Sequence, residues 1–448
     1  MTKLLLTFYG DDFTGSTDAM EQLTLAGVRT MLFVEPPTPA QLKRFPNLKA
    51  VGVAGMTRAM SPETMAKILC PAFQKLKKLD ARHVHYKVCS TFDSSPRIGS
   101  IGRALEIGSE IFHAPFVPIL AAAPVLGRYT IFGNHFARFG IGSDGEIHRL
   151  DRHPSVSKHP ITPMIEADLR SHLAKQTKKK IALFDILKIE LPESESFAQL
   201  KKILAQKPDA ILFDALDATH LHRIGRFLDK FVGQNRPMFS IGSSGIEAAL
   251  AGWRGGLRQR QSNWLVRKSG SQTKQVLIGS GSCSPVTLRQ IGWALKRGFA
   301  EVALDSKKLA TRNGDMEVRR AIELAVKYLQ SGRNVIVHTT RSGSDGFIAS
   351  KLKNKTAEVF GTALGKVLRG ALGRMEVQRV CIAGGDTSSF AARALGIEAL
   401  EMSAPLTPGA PLCKASAAGS PADGHEFVFK GGQVGAENYF EIVKRGKI

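Results

Sequence analysis

Cysteine is scarce in this chain. There are five in 448 residues, Cys70, Cys89, Cys283, Cys381 and Cys413. They are odd in number, far apart, and form no Cys-x-x-Cys pair. That excludes a structural zinc knuckle and a disulfide framework, and it fits a reduced, cytoplasmic compartment. No apolar run approaches the roughly eighteen residues that a membrane-spanning helix needs. The N-terminal stretch has one basic residue, Lys3, and a short apolar run to Tyr9 that stops at Gly10-Asp11-Asp12. No small-residue cleavage site follows, so the run reads as a first strand and not as a signal peptide. Acid is also in short supply: 39 Asp and Glu against 62 Lys and Arg, a formal net charge of +23. Such a charge raises nucleic acid as a partner. The basic residues are spread along the chain, however. Their local clusters (Lys75-Lys77-Lys78, Lys178-Lys179-Lys180, Arg254-Arg258-Arg260) come with no zinc-finger spacing and no RNA-binding aromatic signature. A basic surface that draws in anionic small molecules is the better reading. Neither nucleic acid nor membrane is expected as a partner.

What is present describes a globular protein. Hydrophobic residues make up 43% and aromatics 7%, enough for buried cores, and the length is suited to two or three domains. No fixed-period repeat or low-complexity tract is visible. Over residues 1–252, apolar β-type runs alternate with helical stretches. Strands are expected at Leu4–Phe8, Thr30–Val34, Ala50–Ala54, His83–Val88, Ile181–Asp185, Ala210–Asp214 and Met238–Ile241. Helices are expected over Ser16–Ala26 and from Pro62 to Leu79, with Ser61 as N-cap and Pro62 at the first helical position. Residues 253–274 are polar, basic and glycine-containing, and read as a linker. The alternation restarts over 275–448, with strands at Gln275–Ile278, Val302–Leu304, Asn334–His338, Val380–Ala383 and Glu426–Phe429. The expected fold is α/β, in two domains, each with a mainly parallel sheet flanked by helices.

Five turns carry chemistry. The first strand ends in Gly10-Asp11-Asp12-Phe13-Thr14-Gly15 just before a helix. The carboxyl end of a parallel strand is where α/β proteins bind ligands. One carboxylate there can hold acceptor hydroxyls while the other acts as general base. A helix cap alone needs only one Asp. In a haloacid-dehalogenase phosphatase the two Asp residues are separated by one residue. Here they are adjacent and point to opposite faces of an extended chain, which disfavours that chemistry. A second cluster, Tyr86-Lys87-Val88-Cys89-Ser90-Thr91-Phe92-Asp93-Ser94, follows another strand. Lys87 is a compact positive charge for a carboxylate or phosphate. Ser90, Thr91, Asp93 and Ser94 are partners for a polyol. The third, Gly279 to Ser284, offers small residues, Ser282 and Ser284 among them, at a helix start with Pro285 as its cap. It lacks the Lys-Ser/Thr of a P-loop. The fourth is Gly384-Gly385-Asp386-Thr387-Ser388, with Thr387 and Ser388 expected to cap a helix. The fifth is Lys430-Gly431-Gly432-Gln433-Val434-Gly435. Three glycine-rich turns in one domain suggest a nucleotide. His135, His153 and His159 lie in a polar central region without metal-ligand spacing and read as substrate contacts or loop structure.

Taken in order, these motifs resemble the four-carbon acid sugar kinase family over nearly the whole chain. Asp11 to Ser16 matches its first turn; Tyr86-Lys87, Ser90-Thr91 and Asp93-Ser94 match its second signature. Ser280 to Ser284, Gly384 to Ser388 and Lys430 to Gly435 match its C-terminal glycine turns. Two departures stand out. Members often have Gly-Asn-Ile-Gly where this chain has Ile98-Gly99-Ser100-Ile101-Gly102, and Gly431 stands where Ser is common. The form Thr91-Phe92-Asp93-Ser94 resembles the 3-oxo-tetronate kinase branch, and the changed loop leaves room for branched acids such as 3-oxo-isoapionate. The resemblance implies phosphorylation of the terminal hydroxyl of a small sugar acid by ATP with Mg2+. Asp12 or Asp11 would then deprotonate that hydroxyl, and Lys87 would pair with carboxylate or phosphoryl. Thr14, Gly15, Ser90, Thr91, Asp93 and Ser94 would hold the acceptor. Ser282, Ser284, Gly384, Gly385, Asp386, Thr387, Gly431 and Gly432 would line the nucleotide. No resident protein-bound metal is expected, and a homodimer is compatible with the sequence.

Overall fold

The computed structural model describes residues 3–140, 145–159, 161–233, 236–255, 271–311, 313–339 and 356–447. Contacts divide the chain into two compact units. One comprises Met1–Met31 and Pro36–Ser262; the other comprises Leu32–Glu35 and Asn263–Ile448.

The first unit is built on β1 (Leu6–Gly10), β3 (Ala50–Ala54), β4 (His83–Lys87), β5 (Val117–Leu120), β6 (Arg128–Ile131), β7 (Asn134–Arg138), β8 (Ile147–Arg149), β9 (Ile181–Phe184), β10 (Ala210–Phe213) and β11 (Met238–Gly242); β2 (Thr30–Phe33) gives its first two residues to this unit and Leu32 and Phe33 to the other. Seven of these make a sheet in the order β3-β1-β4-β11-β5-β10-β9, with every pairing parallel. All five residues of β1, β3, β4 and β11 are buried. Helices cover both faces, so β1, β3 and β11 read as largely apolar runs and not as alternating ones; β4, with His83, His85 and Lys87, does not. Full burial of Leu6 and Phe8 contributes about 1.5–3 kcal/mol each.

The chain leaves β1 to build β3 on one side and β4 on the other. Such a switch point opens a crevice beyond the strand ends. Gly10 is in register with both Ala54 and Lys87, so the three turns that follow start level.

Strands β6, β7 and β8 form a separate antiparallel sheet that the sequence reading did not anticipate. Its first hairpin turns at Phe132-Gly133, both at positive φ (50° and 80°), the pattern that suits a two-residue hairpin. Asp214 holds that turn, accepting from Phe132 N at 2.5 Å and Gly133 N at 3.0 Å. Helix Gly245–Gly255 enters the stretch read as a linker over 253–274; residues 256–270 of that stretch lie outside those described.

The second unit holds β12 (Val276–Ser280), β13 (Ala300–Ala303), β14 (Val335–His338), β15 (Arg379–Ala383), β16 (Ala399–Thr407), β17 (Ala410–Ser416) and β18 (Glu426–Lys430). Their order is β13-β14-β12-β15-β18-β17-β16. The first five pair in parallel. β17 and β16 add an antiparallel hairpin missed in the sequence, and Leu32 and Phe33 pair antiparallel with Leu400 and Ala399. Ser280, Ala383 and Lys430 are in register across β12, β15 and β18. The three glycine turns therefore leave the sheet side by side. Among the described residues no helix is long and apolar enough to cross a membrane.

Candidate active site

The predicted helix start at Ser16 is three residues late. The helix runs Phe13–Leu25 because Asp12 is its N-cap, accepting from Gly15 N at 2.7 Å. Asp12 Oδ2 also accepts from Thr14 Oγ1 at 3.1 Å. Capping is thus part of what Asp12 does. Thr14 and Gly15 consequently lie in the first helical turn.

The same Asp12 Oδ2 meets Arg58 Nη1 at 3.0 Å, and Arg58 Nη2 meets Asp93 Oδ2 at 2.6 Å. Arg58 sits in the turn after β3 and ties the Asp12 turn to the loop after β4. The sequence reading missed it. Its signal is a solitary Arg after a buried strand, in Gly55-Met56-Thr57-Arg58. The planar guanidinium can bridge two carboxylates in a way that an ammonium cannot. Gly99 supports it from the altered loop: at φ 61°, an added Cβ would lie 2.4 Å from the Arg58 carbonyl oxygen. Burial works against the Arg58 charge, but Asp93 and Asp12 help hold its pKa well above its usual value. Burial alone would raise the Asp93 carboxyl; Arg58 chiefly outweighs it and leaves the pKa below the usual range.

Asp11 differs from Asp12. Its Oδ1 is buried and has no hydrogen-bond partner among the described residues. Burial, then the neighbouring Asp12 charge, push its carboxyl up to about 7 against the pull of Arg58 and Lys87. A carboxyl titrating there is suited to proton transfer near neutral pH.

Lys87 is 1% exposed at the end of β4. Its Nζ lies 3.6 Å from Asp18 Oδ2, a second residue missed in the sequence. Asp18 is an acid on the buried side of a helix that also buries Phe13, Ala19, Met20 and Leu23, which is the signal that would have found it. Burial works against the ammonium, but Asp18, then Asp12 and Asp11, outweigh it and raise its pKa.

The loop after β4 is held from within. Thr91 Oγ1 donates to Asp93 Oδ1 at 2.9 Å. Phe92 adopts φ 57° with its ring fully buried, a left-handed conformation that costs a non-glycine residue about 1–3 kcal/mol. His135 Nε2 donates to the Ser90 carbonyl at 2.9 Å. Ser94 is engaged structurally: its Oγ meets Phe92 O, His172 Nε2 and Gln176 Nε2. Burial depresses His135, His153 and His172 to about 4, so these rings are neutral at physiological pH. His135 lies on β7 and not in a loop. Asp11, Asp12, Lys87, Thr91 and Asp93 thus come together around Arg58, with Ser94 turned to the loop's own support.

In the second unit, three sequence-distant turns converge. An added Cβ at Gly281 would lie 2.4 Å from Thr387 Oγ1; one at Gly432 would lie 2.8 Å from Ser282 Oγ and 2.9 Å from Ser284 Cβ. Gly384, at φ 124°, has Ser282 N within 3.4 Å of its Cβ position. Only glycine permits this approach. Ser284, and not Pro285, is the N-cap of helix Pro285–Leu295. Thr387 and Ser388 do not cap helix Gly385–Ala394; its N-cap is Gly384, and Ser388 Oγ donates back to Gly384 O at 2.6 Å. Asp386 is exposed in the first turn of that helix, next to Gly385. Lys430 is fully buried beneath the Gly431-Gly432 turn, donating to Thr287 Oγ1 at 2.9 Å. Thr287 in turn donates to Gly432 O at 2.8 Å. Two helix starts beside a cradle of small residues make a favourable environment for phosphate oxygens.

Residues 6–250 match a sugar-binding N-terminal domain, and residues 277–440 a nucleotide-binding C-terminal domain. The chain belongs to the four-carbon acid sugar kinase family, a family of sugar-acid kinases. It is 43% identical to a 3-oxo-isoapionate kinase of Paraburkholderia graminis, covering 99% of this chain and 95% of that protein. It is 27% identical to a 3-oxo-tetronate kinase of Pseudomonas savastanoi pv. phaseolicola, covering 97% and 96%. A crystal structure of a Haemophilus influenzae protein shares the fold, with a TM-score of 0.68 at 22% identity, covering 98% of this chain and 99% of that one.

Proposed function

We propose that this chain transfers the γ-phosphoryl group of ATP to the terminal hydroxyl of a small sugar acid, with 3-oxo-isoapionate the first acceptor to test and the 3-oxo-tetronates next. The observation that carries the reading is Arg58 bridging Asp12 and Asp93 beside Lys87 at the ends of β1, β3 and β4. Two fixed cations among three carboxylates suit a substrate that is at once an anion and a polyol. The 43% identity to a 3-oxo-isoapionate kinase favours the branched acid.

The roles divide as follows. Asp11 has a buried oxygen without a partner and a carboxyl near 7, so it is the general base. Asp12, engaged by Gly15 N, Thr14 and Arg58, is the residue that holds the turn. Lys87 pairs with the acceptor carboxylate or the incoming phosphoryl group. Ser90, Thr91 and Asp93 bind acceptor oxygens; Ser94 supports their loop. Gly384, Gly385, Asp386 and Thr387, with Ser282, Ser284, Gly431 and Gly432, receive the nucleotide. ATP with Mg2+ supplies the phosphoryl group and neutralises its charge.

The test is ADP release by the purified protein with ATP, Mg2+ and each acid. Turnover should be lost in Asp11→Asn and Arg58→Ala while ATP binding persists. Wild-type rates in both variants would remove the assignment.

A further inference from the structure

Strand β18 ends in Lys430, whose side chain is fully buried. Its ammonium donates to Thr287 Oγ1 at 2.9 Å, and that hydroxyl donates onward to Gly432 O at 2.8 Å. Further along helix Pro285–Leu295, Gln290 Nε2 donates to the carbonyls of Val434, Gly435 and Ala436, each at 3.0 Å. Positions three apart share a helix face, so this helix grips the whole last glycine turn. The Lys430 carbonyl accepts from Gly384 N at 2.9 Å. Lys430 therefore reaches each part of the cradle. Its main chain holds the Gly384 turn, and its side chain holds the helix that follows Ser282 and Ser284. Its own chain continues into Gly431-Gly432.

An acid is what Lys430 lacks. Among the described residues no carboxylate pairs with its ammonium. The titratable group that reaches it from β15 is Cys381, whose thiol burial pushes up to about 12 and so keeps neutral. Helix Tyr439–Arg445 offers the Tyr439 ring, its centroid 5.6 Å from Nζ, within cation–π range. The charged residues of the neighbouring helices, among them Arg289, Asp386, Arg393 and Glu441, are exposed or half-buried. A buried cation without a counter-ion is costly, and an apolar side chain of similar volume avoids that cost. The turns above this one suit phosphate oxygens.

We propose that Lys430 is a positioning residue for the nucleotide, and that the nucleotide's phosphate charge is the counter-ion its ammonium lacks. This rests on the reading that the glycine turns of the second unit receive the nucleotide. Being fully buried, Lys430 acts through Thr287 and the Gly432 turn, and through its charge beneath them.

Burial holds the ammonium down to about 8, so it is charged at neutral pH, and phosphate nearby should raise that value. Nucleotide binding then takes up a proton. Affinity is full below 8 and falls as pH rises above it. Titration calorimetry of the full-length protein with ADP and Mg2+, in buffers of different ionisation heat, reads both quantities. A rise of about one unit on binding gives about half a proton taken up at pH 8.5, and a Kd about sixfold weaker at pH 9.5 than at pH 7.5. Lys430→Met should abolish the uptake and weaken ADP about 10-fold or more at pH 7.5. Thr287→Val removes the hydroxyl that accepts from the ammonium, which favours the neutral amine. The uptake should then centre about half a pH unit or more lower, and Thr287→Ser should restore the wild-type profile. No uptake in wild type, or an uptake unchanged in Lys430→Met, overturns the proposal. Should Lys430→Met fail to fold, Thr287→Val decides: a profile it does not move belongs to another group. A wild type that binds no ADP removes the nucleotide reading and this role with it; binding without uptake removes the role of Lys430 alone.

Discussion

The Lys87 ammonium occupies the space that a side chain on Gly15 would need. A Cβ placed there would lie 2.6 Å from Lys87 Nζ and 2.5 Å from Asp12 Oδ1. The glycine of the first turn is therefore tied to the lysine of the second signature, 72 positions along the chain. Gly15→Ala should displace both charged groups and leave the rest of the sheet intact. We expect kcat/KM for the acid to fall at least about 10-fold, equivalent to ~1.4 kcal/mol. Steady-state kinetics beside a thermal melt would check this; a wild-type rate would show that the turn tolerates the displacement.

Arg58 makes two ion pairs from one planar group. Arg58→Ala leaves Asp12 and Asp93 facing each other uncompensated, and Arg58→Lys cannot span both. Each variant should lose about 100-fold or more in kcat/KM, with Arg58→Lys giving little rescue. Full activity in Arg58→Lys would reduce Arg58 to a point charge.

The Asp11 carboxyl sits near 7 in the folded protein and near 3.9 in an unfolded chain. As the general base it must be ionised, so kcat/KM should rise with pH through about 7. Its effect on stability has the opposite sign. The folded state binds the proton more tightly, so that contribution is full below the unfolded value and is lost as pH rises through 7. Urea unfolding across this range should show a wild-type decline that is absent from Asp11→Asn. Parallel curves would place the titration elsewhere.

Gly432 stands against Ser282 and Ser284. Gly432→Ala should force two phosphate-side turns apart. We expect the KM for ATP to rise about 10-fold or more with the KM for the acid unchanged. A change confined to the acid would contradict the division of roles between the two units.

Burial holds the Lys430 ammonium down to about 8. An unfolded lysine keeps its proton to about 10.4. Between these values the unfolded chain binds more protons, so stability from this residue rises with pH from about 8 to 10. Lys430→Met, similar in volume, should abolish that rise in urea unfolding measured over the same window; an unchanged slope would assign it to other groups.

Much of this was legible in the residues. Strand Ala50–Ala54 has its predicted bounds because both ends are punctuated: Pro46-Asn47 before, Gly55 after. The glycine turns were visible as turns, and their order pointed to a nucleotide. Their convergence was not visible, because it depends on β12, β15 and β18 lying side by side, a non-local fact. The β6–β8 sheet and the β16–β17 hairpin escaped for a different reason. Strands β6 and β7 do alternate buried with half-buried positions, but Arg128, Thr130 and His135 occupy buried ones, so no apolar period shows; β16, Ala399–Thr407, breaks its alternation at both ends. Arg58 and Asp18 carry no motif at all; only folding brings them to Asp12 and Lys87. The helix that starts at Phe13 was read late because Asp12 was weighed as a site residue when it is a cap as well.

The central claim is phosphorylation of a sugar acid by this chain. The most direct measurement is 31P NMR of purified protein incubated with ATP, Mg2+ and 3-oxo-isoapionate, with the 3-oxo-tetronates in parallel. The account predicts ADP and a stoichiometric phosphomonoester resonance with at least one acid, and neither product with Asp11→Asn. ATP left intact with every acid, or ADP formed with free phosphate and no phosphomonoester, would contradict it.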